Sequence, residues 1–392
     1  MNWLRHLGSQ LRKSLRNLLL RGQWLQWWVG RKSRVLERAY LTEVLRSSRT
    51  QTAPEAALES RFHARSQARI RTLLFIADCA WESHELLPEL RKIARVEVLD
   101  LGPSLKREPD ASRLPSAVVQ TLESFVKQPH DWEPDVVLFY ARPQLLSAAA
   151  FDLLRRRWSC LLMGLNLDDK MEFFPYGIFN AGNDNYREWA RLFDLNLSSS
   201  RLAVEWYRQH GLPVRYCPMG FHQAPDLGTP PTSLAYEYPM SFVGSWRTER
   251  AEVIEQLTRQ GVPISVFGHG WAKSERVERA ASIYRRTQIN LGLGFITPVA
   301  GITNVKARDF ECPGAGACYA TTFNWELADH YEIGKEILCY RSVDELMELY
   351  AFYSRRPEAC LRLAQAAHRR CAAEHTWEQR FRRIFQSAGF RT

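Results

Sequence analysis

The sequence predicts an α/β protein with two doubly wound parallel sheets of the Rossmann-like kind, preceded by a basic helical arm. Three observations support this fold class. The chain has 392 residues, enough for two domains that each bury a core. Apolar, strand-like runs alternate with helical patterns in two separate stretches of the sequence. A proline-rich segment at 223–239 lies between the two stretches and predicts a linker.

The arm is predicted over residues 1–65. Residues 1–47 carry ten basic and two acidic residues, a net charge of +8, whereas the whole chain carries +10. Leucines recur at helical spacing through 4–18 between Arg and Lys, and three tryptophans follow at 24–28. This pattern favours a basic amphipathic helix on an anionic membrane surface. Packing against the protein itself or a second subunit is the alternative, and nucleic-acid binding is a third interpretation that we do not adopt.

The first alternating stretch predicts a Rossmann-like domain over 66–222. Strands are predicted at 71–77, 96–101, 135–140, 159–167, 193–199 and 214–219, and helices at 84–94, 115–127, 145–157 and 200–210. Continuous apolar strands separated by helices are typical of a parallel sheet covered on both faces.

The second stretch predicts another Rossmann-like domain over 240–375, followed by a terminal segment at 376–392. Strands are predicted at 240–245, 263–268, 288–293 and 336–340, and helices at 248–260, 274–285, 343–354, 357–373 and 376–386. A Gly-rich segment at 311–321 carries no predicted strand. Capping-box spacing at 342–345 and 376–379 marks the starts of two of these helices.

Composition and missing motifs exclude several classes of protein. The eight cysteines form no C-x-x-C pair, which argues against a zinc site or a disulfide framework and fits a reduced cytoplasm. The apolar runs are far shorter than the ~18 residues that cross a bilayer. The chain has no G-x-G-x-x-G, G-x-x-x-x-G-K-[ST], G-x-S-x-G or H-E-x-x-H sequence, so dehydrogenases, P-loop NTPases, α/β-hydrolases and zincins lose their main support.

The residues with the most distinctive chemistry lie between 301 and 345. Lys306, Arg308 and Glu311 come directly before a Pro-Gly-Ala-Gly sequence, which predicts a turn. Two cations and free backbone amides suit a diphosphate, and a carboxylate suits a pair of sugar hydroxyls. A surface salt-bridge cluster on a capped helix fits the same residues.

Four motifs of the second domain resemble a known family. They are K-A-R-D-F-E-x-P-G-A-G-A, N-W-E-L, G-K-E-I-L-C-Y-R-S-V-D-E-L and A-E-H-T-W-E-x-R-F. The chain resembles the CgeB-like proteins of the spore-maturation type, a branch of the group 1, family 4-like glycosyltransferases with the GT-B fold. The resemblance is strong over 240–385, weaker over 71–222 and does not cover the arm. It implies an acceptor domain first, a nucleotide-sugar donor domain second, and a terminal helix that crosses back to the first domain.

The resemblance also implies roles for single residues. Glu311 is similar to the second glutamate of an E-x7-E motif that holds the donor's ribose, while the first glutamate would fall at Thr303. Arg247 is similar to an arginine that reaches the donor diphosphate. The remaining expected donor-binding residues are Lys306 or Arg308 as a second cation, Gly268 and His269 (with Trp271) near the base, and Gly316 in the glycine turn.

A catalytic base has to come from the first domain, in loops that follow its strands. The candidates are His84, beside Glu82, and Asp169, beside Asp168. The aspartate pair equally fits a helix or turn cap, and His84 equally fits an ordinary helix start. An enzyme that retains the anomeric configuration needs no such base.

The expected function is a hexosyltransferase-like glycosyltransferase (EC 2.4) that is independent of metals and cofactors. Its donor would be a nucleotide-diphosphate sugar, and its acceptor a lipid-linked or cell-surface glycan. We expect a cytoplasmic protein, peripheral on the inner membrane face. The alternative is a non-catalytic, membrane-associated binding or scaffold protein on a GT-B fold. Thr303, which replaces the first glutamate of the motif, is the feature that supports this alternative. A nucleotide-sugar epimerase or hydrolase on the same fold is a weaker hypothesis.

Overall fold

The structure is a computed structural model that describes residues 68–140, 142–173, 186–224, 235–271, 280–294 and 303–391. The predicted arm and most of the predicted linker lie outside the described residues. The described chain divides into two compact units. The amino-terminal unit comprises residues 68–224 and 371–391, and the carboxyl-terminal unit comprises residues 235–370.

A six-stranded parallel sheet forms the centre of the amino-terminal unit. Its strands are β1 (Thr72–Ala77), β2 (Arg95–Asp100), β3 (Val136–Tyr140), β4 (Leu161–Asn166), β5 (Leu195–Ser198) and β6 (Val214–Tyr216). The order is β2-β1-β3-β4-β5-β6, and every pair is parallel. β1 and β4 are buried at every position, which explains their unbroken apolar sequences.

Short helices surround this sheet in the amino-terminal unit. They are α1 (Glu82–Glu85), α2 (Leu87–Leu90), α3 (Gly102–Arg107), α4 (Leu114–Val126), α5 (Ala148–Arg157), α6 (Asp169–Glu172), α7 (Tyr186–Ala190) and α8 (Arg201–Gln209). The side chains of Ser147 and Ser200 cap α5 and α8 by accepting backbone N–H bonds. The predicted helix at 84–94 is instead two short helices, because Pro88 lies in the first turn of α2 and favours a new helix start.

The carboxyl-terminal unit contains a five-stranded parallel sheet. Its strands are β7 (Tyr238–Val243), β8 (Ile264–Phe267), β9 (Thr287–Gly292), β10 (Tyr319–Thr322) and β11 (Leu338–Tyr340), in the order β11-β10-β9-β7-β8. The sequence prediction missed β10, a strand of four residues that is buried throughout and therefore shows no alternation of polar and apolar residues.

Among its described residues, the helices that accompany this sheet are α9 (Thr248–Arg259), α10 (Ala280–Arg286), α11 (Arg308–Gly314), α12 (Val343–Tyr353) and α13 (Pro357–Glu374). The predicted Pro-Gly turn is wrong, since Pro313 and Gly314 form the last turn of α11. Proline has no N–H for the carbonyl four residues earlier. The Tyr331 hydroxyl donates to that carbonyl, on Asp309, at 2.8 Å, which lets the helix contain a proline.

The last helix, α14 (Trp377–Ser387), lies in the amino-terminal unit. Thr376 and Gln379 form the predicted capping box at its start. Backbone hydrogen bonds join Phe221 to His375 and Trp377, and the ring of Trp377 lies 6.1 Å from that of Trp81. The unit therefore contains strands from one part of the chain and a covering helix from a much later part.

The two sheets share one topology. In each unit the second strand lies outside the first, and the third, fourth and fifth strands follow on the other side. The second strand is added on one side of the first strand, and the third strand is added on the other side. This reversal of strand order lies between β1 and β3 in one unit and between β7 and β9 in the other. Parallel sheets bind ligands beyond the carboxyl ends of the strands at this reversal. The prediction of two doubly wound α/β domains is confirmed.

Candidate functional site

Two loops meet at the carboxyl edge of the second sheet, one after β7 (244–247) and one after β8 (268–271). Gly268 has a φ of +119°, and a Cβ there would lie 2.6 Å from the carbonyl oxygen of Gly244. Trp271 Nε1 donates to that same oxygen at 2.8 Å. The Trp246 N–H donates to the His269 carbonyl, also at 2.8 Å. We call these two loops the β7–β8 edge, and their mutual hydrogen bonds fix its backbone.

Arg308 lies where β7 and β9 diverge. It is the first residue of α11, and its Nε donates to the Val243 carbonyl at the end of β7, at 2.7 Å. Its guanidinium lies 4.7 Å from the centre of the Phe242 ring. A Cβ on Gly244 would lie 2.5 Å from Arg308 Nη2, so a larger residue would displace the guanidinium from this position. The helix thus delivers a cation to the expected ligand position of the sheet.

Arg250 is a second cation that the sequence analysis did not single out. It lies in the first turn of α9 with only 7% of its surface exposed. Its Nη1 donates to the Ser245 carbonyl at 2.8 Å, and its guanidinium lies 5.7 Å from the Phe242 ring. Burial, together with repulsion from Arg308 and Arg247, lowers the pKa of Arg250 to about 10, so it is still charged at pH 7. Its spacing of three residues from Arg247 was the available signal.

The buried donor atoms of these arginines are incompletely paired within the described residues. Arg250 Nε and Arg308 Nη1 are buried donors without a hydrogen-bond partner there. Arg247 is exposed at the N-cap of α9, and no side chain caps that helix end. Three arginines beside an uncapped helix N-terminus favour a ligand with two or more negative charges.

Asp309 stabilises the start of α11 and is a residue that sequence reasoning missed. Its Oδ1 accepts from the Tyr319 hydroxyl at 2.7 Å and from Thr321 Oγ1 at 3.1 Å. Its Oδ2 accepts the Lys306 N–H at 2.6 Å. Burial raises the pKa of Asp309, while these donors favour the ionised form. The carboxylate therefore has a structural role, and it positions Arg308 and Glu311 on either side of it.

Glu311 differs from Asp309 because its carboxyl group has no hydrogen bond or ion pair among the described residues. It is partly buried on α11. Burial, with a contribution from the negative charge of Asp309, raises its pKa to about 7 against the opposing effect of Arg308. Its oxygens are thus available to accept hydrogen bonds from a ligand.

Gly316 lies at the other end of α11, which is a correction to the expectation that it approaches a ligand. It has a φ of +78° and leads into the amino end of β10. Just before it, His368 Nδ1 lies 2.7 Å from the Gly314 carbonyl, and Arg285 Nε donates to the Ala315 carbonyl at 2.7 Å. These contacts provide hydrogen-bond partners for carbonyls at the end of α11, at the amino edge of the sheet. Arg247, Arg250 and Arg308 lie at the opposite, carboxyl edge.

The other predicted donor residues are near the carboxyl edge. His269 is exposed on the β7–β8 edge. Lys306 is partly buried directly before α11. Thr303, at the place of the expected first glutamate, is a partly buried neighbour of Gly294 after β9. A hydroxyl therefore stands where the family pattern has a carboxylate.

In the amino-terminal unit, His84 is exposed on α1, beyond the carboxyl end of β1. Its neighbour Glu82 is buried and accepts the Ala80 N–H at 2.7 Å. Burial raises the pKa of Glu82. Of this pair, only His84 is accessible to a substrate.

Asp169 is buried, which corrects its expected role as an accessible base. Only 1% of its surface is exposed, and its Oδ1 accepts from the Tyr207 hydroxyl at 2.6 Å. Burial raises the pKa of Asp169 to about 7. The preceding Asp168 donates its N–H to Asn166 Oδ1. The geometry makes Asp169 an interior residue that holds α6 to α8, without contact to solvent.

The part of the chain that the structure describes has neither a metal-binding cluster nor a membrane-spanning helix. No group of three or more His, Cys, Asp and Glu side chains there is arranged to hold a metal ion. No helix among those residues has the length and apolar sequence that a bilayer crossing requires.

Two doubly wound α/β units are the architecture of proteins with the GT-B fold. Sucrose-phosphate synthase from Thermosynechococcus elongatus superposes with a TM-score of 0.56 at 11% identity, over 81% of this chain and 98% of that one. Anabaena Alr3699/HepE, solved with UDP and glucose, gives a TM-score of 0.54 at 12% identity, over 81% and 99%. At these identities the likeness shows the fold.

Residues 247–386 match the family model described as "Glycosyl transferase-like". The chain therefore carries a glycosyl transferase-like domain, and the matched region begins at Arg247 and includes Arg250, Arg308 and Glu311. No curated protein sequence matches the chain.

Proposed function

We propose that this protein is a glycosyltransferase that moves a sugar from a nucleoside diphosphate sugar to an acceptor without using a metal ion. The observation that carries the proposal is the coincidence of the glycosyl transferase-like match with the cationic edge. The match covers residues 247–386, and Arg247, Arg250 and Arg308 all lie within it. The UDP and glucose bound by HepE make UDP-sugars the first donors to test.

Charge explains how the edge would promote the reaction. Breaking the bond between the sugar and the phosphate leaves negative charge on the departing diphosphate. Arg247 is exposed at the N-terminus of α9 and can contact that group directly, while buried Arg250 and partly buried Arg308 add positive potential behind it. Preorganised cations that meet developing charge lower the barrier to reaction.

Glu311 is proposed to bind the ribose of the donor. Its carboxyl group is partly buried, and no described residue occupies its oxygens with a hydrogen bond. A carboxylate accepts two hydroxyl hydrogen bonds, which suits the vicinal hydroxyls of ribose. Lys306, Gly268 and His269 remain proposed donor-binding residues on the basis of their position near this edge.

The acceptor is proposed to bind the amino-terminal unit. His84 is the proposed base of an inverting reaction because it is exposed beyond β1. The basic arm supports an acceptor at a membrane surface, such as a lipid-linked or cell-surface glycan, and a peripheral location on the inner membrane face. Assignment to the CgeB-like branch is part of this proposal and rests on the sequence motifs.

The proposal is tested by replacing Arg247, the exposed cation. Arg247→Ala should weaken UDP binding about 10-fold or more, measured by calorimetry on the full chain, because a phosphate contact is lost. Arg259→Ala is the matched control, since Arg259 is an exposed arginine at the other end of α9 and should leave the affinity unchanged. Equal UDP affinity in both variants and the wild type would contradict the site.

Turnover separates the enzyme from its non-catalytic alternative. Incubation with UDP-sugars and a membrane extract should transfer labelled sugar to an acceptor. Nucleotide binding without transfer or donor cleavage under all such conditions would favour the binding or scaffold protein, for which Thr303 is the supporting residue. Release of free sugar or of an epimer without any acceptor would favour the hydrolase or epimerase hypothesis.

A further inference from the structure

We propose that Trp246 stacks on the nucleobase of the donor and forms one wall of the nucleotide site, an inference that rests on the proposed function. In the described part of the chain, Trp246 and Phe352 are the two exposed large hydrophobic side chains, at 47% and 49%. Phe352 lies on α12, where the Arg356 guanidinium covers its ring at 3.8 Å. Trp246 lies on the β7–β8 edge, next to the exposed Arg247.

The backbone that carries Trp246 is fixed before any ligand binds. Its N–H is bonded to the His269 carbonyl. Gly270, with a φ of +88°, faces it, and a Cβ on this glycine would lie 3.0 Å from the Trp246 Cβ. The glycine leaves room for the tryptophan, and a fixed backbone reduces the entropy lost when a ring stacks on the indole.

The neighbouring charges define the chemistry of the ligand. Trp246 directly precedes Arg247, and buried Arg250 donates to the carbonyl of Ser245 on its other side. A ligand that contacts both the indole and the arginines combines a flat ring with a multiply charged anion. A nucleoside diphosphate has this combination.

The positions of the two features also give the ligand a direction. Arg308 lies toward β9, at the reversal of the sheet, while Trp246 is bonded to the loop that follows β8, on the opposite side of β7. A diphosphate near Arg308 and Arg247 therefore places its base toward the β8 side. There Gly268 and Gly270 carry no side chains, and Gly270 faces the Trp246 Cβ.

Stacking on an indole is independent of base identity, because every base has a flat π face. Trp246 therefore sets the affinity for nucleosides, and other groups must distinguish one base from another. Such stacking contributes ~1–3 kcal/mol per base, which corresponds to roughly 5- to 150-fold in affinity.

Calorimetry on the full chain tests the inference with UDP, GDP, ADP, UDP-glucose and inorganic pyrophosphate. Trp246→Ala should weaken whichever nucleoside diphosphates the wild type binds by roughly 5- to 150-fold, and pyrophosphate by less than about twofold. Trp246→Phe should retain most of the affinity, and it keeps the test available if the alanine variant does not fold. Phe352→Ala, which removes an equally exposed ring elsewhere, should change none of these values.

Three results would overturn the inference while leaving the proposed function intact. The first is unchanged UDP affinity in Trp246→Ala. The second is a loss for UDP-glucose without a loss for UDP, which would place a sugar ring on the indole. The third is an equal loss for pyrophosphate, which would mean that the edge itself has changed. A wild-type protein that binds no nucleotide overturns the proposed function, and this inference with it.

Discussion

Two carboxyl groups of this protein, Glu311 and Asp169, have pKa values of about 7 because burial disfavours their charged forms. Both values lie above those of an unfolded chain. The native state therefore binds more protons than the unfolded state between about pH 4 and pH 7. Each group destabilises the native state least at low pH, where it is protonated and uncharged. The free energy of unfolding therefore falls as the pH rises through this window.

Glu311→Gln tests this relation. The variant should be more stable than the wild type by about 1–3 kcal/mol at pH 8, and by less at pH 5, because glutamine carries no charge to desolvate. Urea unfolding at both pH values measures the difference.

The same variant should bind UDP more weakly at pH 8, since an amide is a poorer acceptor for two hydroxyls. Glu348→Gln, at an exposed carboxylate of α12, is the control. A Glu311→Gln variant with the stability of the wild type at pH 8 would contradict the buried environment.

Single residues also show the limit of sequence reasoning. Arg308 and Glu311 were found because their charges stand in a motif, and Arg247 was found because it follows a predicted strand. Arg250 and Asp309 were not found, since their importance comes from burial and from hydrogen-bond partners on other elements. Asp169 looked like an accessible acid after a strand, but Tyr207, 38 residues later, encloses it. Contacts of this kind depend on tertiary packing and leave no local pattern.

Among the elements, α14 shows how a late segment completes an early sheet. Its first residue, Trp377, is fully buried, and its ring lies 5.9 Å from that of Phe381. Glu89 of α2, also fully buried, accepts the Glu378 N–H and lies 2.7 Å from His222 Nδ1. A Cβ on Gly220 would lie 2.9 Å from the Trp377 backbone nitrogen. Apolar packing and a buried carboxylate together hold this helix in place.

Replacement of Trp377 tests the contribution of α14. Trp377→Ala should lower the free energy of unfolding by about 3–5 kcal/mol, because it removes a fully buried aromatic ring. Urea unfolding followed by circular dichroism measures the loss. Phe352→Ala, at an exposed ring, should change stability by no more than about 0.5 kcal/mol. A loss below about 1 kcal/mol in Trp377→Ala would mean that the helix contributes little to the fold.

Most elements were predicted because their patterns are long and regular. Continuous apolar runs identified the six strands of the first sheet, and Ser or Thr caps identified the starts of α12 and α14. The failures have local causes. Pro88 divided a predicted helix, Pro313 was accommodated within one, and β10 was too short and too buried to show a period.

At the scale of the whole molecule, the sequence predicted two parallel sheets but not the order of their strands. Periodicity reports burial and secondary structure, whereas order depends on which faces the crossovers cover. The strand order determines where the sheet reverses, and hence why Arg308 and Arg247 meet after β7. The candidate site was therefore predicted as a set of residues, and its arrangement came from the fold.

The charge distribution of the whole chain gives a prediction that concerns the membrane. Because residues 1–47 carry a net charge of +8 out of +10, the full chain should sediment with vesicles that contain phosphatidylserine. A variant that begins after residue 47 should not, and 0.5 M salt should release the full chain, since Coulomb attraction is screened over a few ångströms. Equal sedimentation of the two proteins would contradict a membrane role for the arm.

The position of α14 has a consequence for synthesis on the ribosome. The described residues of the carboxyl-terminal unit, 235–370, come from one continuous part of the chain, so they can fold as soon as that part has emerged. The amino-terminal unit emerges first but has to wait for a helix that is translated after the whole of its neighbour. Until α14 has been translated, the surface around Trp81 and Glu89 is uncovered. During this interval a chaperone could bind the exposed apolar surface of the nascent chain.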